Sequence, residues 1–143
     1  MPDNAPEDAD LREAWQLLMG LVLAQRWRWS EVAERVGVTQ AGLRAILAID
    51  PDEARPMRDL AAAMNCDASY ATGIVDDLER VGVAERRPAP TDRRVKTVVL
   101  TPRGRQVLRT VQDELFAPPP QLATLTRDEQ ATLVRLLHQA IGA

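Results

Sequence analysis

Between Arg86 and Arg105 the chain carries Arg86, Arg87, Arg93, Arg94, Lys96, Arg103 and Arg105 against a single acid, Asp92. Side chains of this type neutralise phosphates and displace condensed counterions. A second group precedes them: Ser69, Tyr70, Thr72 and Gly73. Its hydroxyls can hydrogen-bond base edges or phosphates, and glycine lets a backbone approach closely. A run of basic residues alone reads equally well as a solvated surface. The elements around the two groups decide between these readings.

Ala71, Ile74, Val75 and Leu78 recur at helical spacing, so a helix over Ala68 to Val81 turns them inward and leaves Ser69, Tyr70, Thr72, Gly73, Asp76 and Asp77 outside. Asp67 has the character and place of its N-cap, and Gly82 ends it. A shorter helix, Met57 to Met64, precedes it across the turn Asn65-Cys66. Val83 to Arg87 and Val95 to Leu100 read as two extended runs, joined by PAPTDRR, whose prolines limit the loop. Two helices, a tight turn and a basic hairpin form a helix-turn-helix with a β-wing. In that arrangement the second helix suits a major groove and the arginine-tipped loop suits the flanking minor groove. Arg93 and Arg94 are expected at the wing tip. Arg86, Arg87, Lys96 and Arg103 are expected on phosphates, and Asp92 is expected to support the wing by holding an arginine in place.

The flanks are helical. Leu11 to Trp29 carries Trp15, Leu18, Met19, Val22 and Leu23 at helical spacing, and Ser30 to Val36 is a short helix closed by Gly37. Thr39 caps a helix bearing Leu43, Ile46 and Leu47, stopped at Asp50-Pro51, and DPDEARP reads as a charged turn. Thr101-Pro102 opens a helix through Val107, Leu108, Val111 and Leu115. Pro118, Pro119 and Pro120 break it, and Thr126 with Glu129 has capping-box spacing before Leu133, Leu136, Leu137 and Ile141. Residues 1–10, acidic and proline-containing, read as a disordered tail.

The ordered set Leu60-Ala61, Thr72, Val75-Asp76, Leu78-Glu79, Gly82, Arg86-Arg87, Asp92-Arg93-Arg94 and Leu100-Thr101 with Gly104 resembles the MarR family of bacterial transcription regulators. The wing signature, Asp-x-Arg before a strand ending in Leu-Thr, is complete. The resemblance is sharp over Pro56 to Leu108 and looser over the whole chain. It implies a mainly α fold with a small β-wing, a winged helix-turn-helix with N- and C-terminal dimerisation helices. The corresponding domain reading is one MarR-like domain over residues 11–143, with the winged helix at 30–105 and dimerisation helices at 11–29 and 106–143. It further implies a homodimeric repressor of double-stranded DNA, in many members relieved by a small aromatic or anionic effector. Tyr70 departs from the small polar residue frequent at its position, and Asp77 stands where arginine is frequent.

Other classes fare worse. The chain has 143 residues, a 45% hydrophobic share and a net charge of −3, as expected of a globular domain with one basic face. A single cysteine, Cys66, and a single histidine, His138, exclude an intrachain disulfide and a Cys/His zinc site. No cofactor and no catalytic or metal-ligating residues are expected: neither a nucleophile with its base nor a phosphate-cradling glycine loop is visible, so the chain reads as a non-enzyme. No apolar run spans a membrane and the acidic start lacks signal-peptide character, so the expected location is the cytoplasm. Cys66 reads as a small packed hydrophobe before a redox sensor. Trp15, Trp27 and Trp29 read as core or interface residues before effector-pocket linings. The alternative function is a protein-protein interaction module without specific DNA binding. A small-molecule-binding or catalytic protein on the same dimer is the remoter alternative.

Overall fold

The structure, a computed structural model, describes residues 6–142. It divides into two compact units: Arg26–Phe116, and a terminal-helix unit that joins the chain up to Gln25 with the chain from Ala117.

The first unit is a winged helix. Helix α2 (Arg26–Val36) ends at Gly37, whose φ of 75° suits glycine. Helix α3 (Gln40–Ala48) begins where the Thr39 hydroxyl accepts the Gly42 amide at 3.0 Å. Strand β1 (Arg55–Pro56) leads into helix α4 (Met57–Ala63). Helix α5 (Ala68–Arg80) starts at Asp67, whose carboxylate accepts the Tyr70 amide at 2.7 Å. Strands β2 (Ala84–Pro88) and β3 (Lys96–Leu100) follow, then helix α6 (Pro102–Leu115), capped by the Thr101 hydroxyl accepting from the Gly104 amide at 3.0 Å. The sheet is antiparallel in the order β1-β3-β2.

One core serves this unit. Leu43, Ile46, Leu60, Val75, Leu78, Val83, Val98 and Val111 are fully buried, so every helix from α3 to α6 and strand β3 depend on it. Each such side chain contributes about 1.5–3 kcal/mol of burial. Cys66 and Trp29 pack partly buried against its edge.

The junction between α5, β2 and α6 is closely packed. The Val83 amide donates to the Leu78 carbonyl at 2.9 Å, and the Thr101 amide donates to the Val83 carbonyl at 3.1 Å. The Thr101 hydroxyl donates to the Gly82 carbonyl at 2.6 Å. A Cβ on Gly104 would stand 1.9 Å from the Val83 carbonyl oxygen, so only glycine fits there.

The terminal-helix unit contains helix α1 (Pro6–Ala24), a 3-10 turn (Pro120–Thr124) and helix α7 (Arg127–Ile141). The capping box is present: the Thr126 amide donates to the Glu129 carboxylate at 2.7 Å, and the Thr126 hydroxyl accepts the Glu129 amide at 3.3 Å. The Thr126 backbone amide, then its hydroxyl, hold the Glu129 carboxyl below its ordinary value. The cap's support for α7 is therefore present at neutral pH and lost as pH falls through that lowered value. Trp15, Leu17, Val22 and Leu23 on α1, and Val134, Leu136, Leu137 and Ile141 on α7, are exposed. No helix among the described residues is long and apolar enough to cross a membrane.

Three sequence expectations change. Residues 1–5 of the expected tail lie outside the described residues, but Pro6–Asp10 belongs to α1. Proline opens a helix without loss because the first amides have no intrahelical partner. The single helix expected over Leu11 to Trp29 is interrupted at Gln25, whose amide bonds the Val22 carbonyl three residues back at 3.0 Å, and α2 starts at Arg26. The charged turn DPDEARP contains β1, with Arg55 opposite Val98 and Pro56 opposite Thr97. A strand of this length has no readable alternation, and proline is tolerated on a sheet edge.

Gly104→Ala should destabilise the protein by at least about 3 kcal/mol, since backbone rather than a yielding side chain blocks the methyl. Urea denaturation measures it; a loss under about 1 kcal/mol would contradict the close packing of α6 on Val83.

Candidate nucleic-acid interface

Helix α5 turns Ala71, Ile74, Val75 and Leu78 into the core, which leaves Ser69, Tyr70, Thr72 and Gly73 exposed. Tyr70 keeps 55% of its surface exposed. The Thr72 hydroxyl donates to the Ala68 carbonyl at 2.8 Å. A Cβ on Gly73 would meet nothing within 4 Å. Asp77, which would repel a phosphate if unpaired, is engaged by Arg80 at 2.6 Å.

The wing is held by its backbone. The Ala89 amide donates to the Val95 carbonyl at 2.9 Å, and the Val95 amide to the Asp92 carbonyl at 3.0 Å. The Asp92 carboxylate accepts the Arg94 amide at 3.0 Å. Asp92 thus closes the tip through the arginine's main chain and leaves its guanidinium alone. Arg93, Arg94, Lys96 and Arg103 are exposed, and among the described residues none has an ion-pair partner.

Arg86 and Arg87, expected together on phosphates, are placed quite differently. Arg86 lies opposite Val98, a fully buried residue, so it projects from the inner face of the sheet. Its side chain is only 21% exposed. It pairs with Glu79, reaches Asp76 at 2.7 Å and donates to the Thr72 carbonyl at 3.1 Å. The Arg86 amide also donates to Glu79, at 2.7 Å. Residues 72, 76 and 79 lie along one stripe of α5, so a single side chain on β2 grips the helix at successive turns. Arg87 points the other way, is exposed, and its Nε donates to Glu85 at 2.7 Å. Arg105 pairs with Asp52 at 3.2 Å. Residue type alone put Arg86 among the phosphate contacts; the period-two alternation of β2 was the signal that separates it from Arg87. Asp76 and Glu79 were not among the expected functional residues, and their spacing ahead of a strand arginine was the available clue.

The MarR family model matches residues 38–96, from the turn before α3 through α5 and the wing tip to the first residue of β3. Over this stretch the chain is similar to the MarR family. It is 29% identical over 147 residues, covering 94% of this chain and 87% of the relative, to a Thauera aromatica protein named for transcriptional regulation of the hcr operon. The fold is shared with MarR of Escherichia coli, at a TM-score of 0.72 and 24% identity over 87% of this chain and 93% of that one. It is also shared with the transcriptional repressor CouR, solved on a 23-mer DNA duplex, at a TM-score of 0.64 and 21% identity over 99% of each chain. No grouping of His, Cys, Asp and Glu among the described residues could hold a metal ion.

Arg86→Ala should cost about 1–3 kcal/mol of stability, because it leaves Glu79 half-buried without its partner. It should also weaken duplex binding while leaving the dependence of affinity on salt unchanged, since no phosphate contact is removed. A shallower salt slope for this variant, measured by fluorescence anisotropy, would return Arg86 to the phosphate contacts.

Proposed function

We propose that this chain is a DNA-binding transcription regulator that acts as a homodimeric repressor. The observation that carries the reading is the pairing of the exposed face of α5 with a closed hairpin whose tip arginines have no ion-pair partner among the described residues. In this reading Ser69, Tyr70, Thr72 and Gly73 face base edges in the major groove. Arg93 and Arg94 enter the flanking minor groove, where the negative potential is greatest. Lys96 and Arg103 meet phosphates, which position the protein without reading sequence. Arg87 joins them by exchanging Glu85 for a phosphate, whereas Arg86 has the separate role of holding α5 against β2.

The dimer rests on the apolar surface that α1 and α7 leave uncovered. Leu11, Trp15, Leu17, Val22, Leu136 and Ile141 are too many large apolar groups for a monomer to keep in water, and a second copy would bury them. Residues 11–29 and 106–143 are the assigned dimerisation segments, with the qualification that α6 packs through Val107, Leu108 and Val111 into the winged unit's core. Two reading helices then address successive major grooves about 10 base pairs apart. A small aromatic or anionic effector would act by binding one spacing of the two heads better than another.

With roughly 6–10 phosphate contacts, affinity should fall ~10³–10⁵-fold between ~50 and ~200 mM salt. Replacing Lys96 or Arg103 by alanine should weaken all duplexes uniformly and lower the salt slope by about 1 for each contact removed. Replacing Arg93 and Arg94 together should abolish retention. A flat salt response, or full retention by the Arg93, Arg94 double variant, would favour the protein-interaction alternative. In sedimentation experiments the protein should run as a dimer, and Leu136→Glu should give monomers that no longer retain duplex DNA.

A further inference from the structure

From Ala68 to Asp77 helix α5 contains no Arg, Lys, Asn or Gln. Those are the residues that form bidentate pairs with the major-groove edges of guanine and adenine. Most of the polar groups it does carry are engaged. Thr72 donates its hydroxyl to Ala68, Asp76 is held by Arg86 at 2.7 Å, and Asp77 by Arg80 at 2.6 Å. In the first two turns the Ser69 hydroxyl and the Tyr70 side chain have no hydrogen-bond partner among the described residues. Tyr70 is the third residue of the helix, in the part that a reading helix presents to bases, and its aromatic ring is largely in water. One turn further on, Gly73 puts no side chain beside it, and the space there is open.

A helix face without amide or guanidinium groups cannot identify purines by paired hydrogen bonds. It can identify the one apolar group on the major-groove edge, the C5-methyl of thymine. We propose that Tyr70 is a specificity-determining residue of this protein and reads thymine by covering that methyl with its ring. Selectivity then comes from removing the methyl from water, and the tyrosine hydroxyl is dispensable. The inference rests on the reading that α5 enters the major groove, and it adds which base the helix selects and by what force.

The test uses duplexes recovered by the full-length protein from a pool with a randomised centre. Half-sites should contain invariant thymines. Replacing each by deoxyuridine, which lacks only the methyl, should weaken binding about fourfold per methyl, the factor for one buried carbon. Tyr70→Phe should keep both affinity and this discrimination. Tyr70→Ala should bind the thymine and deoxyuridine duplexes equally, with an unchanged salt slope and an unchanged thermal melt, since the side chain supports nothing in the core. Indifference of the parent protein to deoxyuridine overturns the proposal, as does continued discrimination by Tyr70→Ala. Loss of discrimination in Tyr70→Phe also overturns it and assigns the reading to the hydroxyl. If the parent protein recovers no duplex at all, the major-groove reading itself falls; the deoxyuridine outcomes leave that reading standing.

Discussion

The Arg86 guanidinium, held between Glu79, Asp76 and the Thr72 carbonyl, is the contact on which the arrangement of the site depends. A winged helix addresses two grooves with separate elements, so their spacing must be set before binding. A side chain that lies on β2 and holds three positions of α5 sets that spacing. The cost of drawing a cation part-way out of water is offset by charge-assisted bonds to two carboxylates. Partial exposure, with Asp76 largely in water, keeps that cost well below the penalty of full burial. The neighbouring hydrogen bonds through Val83 and Thr101 extend the block to α6.

That contact also explains how a chain with a net charge of −3 can present a cationic surface. Acidic side chains are matched locally. Asp76 and Glu79 are spent on Arg86, Asp77 on Arg80, and Glu85 on Arg87. The Asp92 carboxylate is occupied by the Arg94 amide. Among the described residues, Arg93 and Arg94 are then left without a carboxylate partner, and the field at the tip is decided by position rather than by the total. The acid that stands where arginine is frequent in the MarR family, Asp77, is balanced by its own helix three residues on.

Much of this fold was legible before any coordinates. The cap residues Thr39, Asp67, Thr101 and Thr126 act locally, through bonds to amides three residues ahead, so their sequence neighbourhood is nearly the whole interaction. The inward stripe of α5 follows from helical periodicity alone. The break at Gln25 and the strand at Arg55–Pro56 were not legible. The first has no proline or glycine to mark it. The second exists only because β3, some forty residues later, supplies its hydrogen-bonding partners.

Within the site the division is the same. Sequence by itself determined which groups are available: hydroxyls, a tyrosine and a glycine at the start of one helix, arginines around a proline-stiffened hairpin, and one acid among them. Only the tertiary structure decided how the cations divide, sending Arg86 inward to α5 while Arg93 and Arg94 have no ion-pair partner among the described residues. The physical reason is range. Caps, turns and periodicity are satisfied within a few residues of chain, whereas the fate of a long charged side chain depends on which carboxylate packing brings within reach.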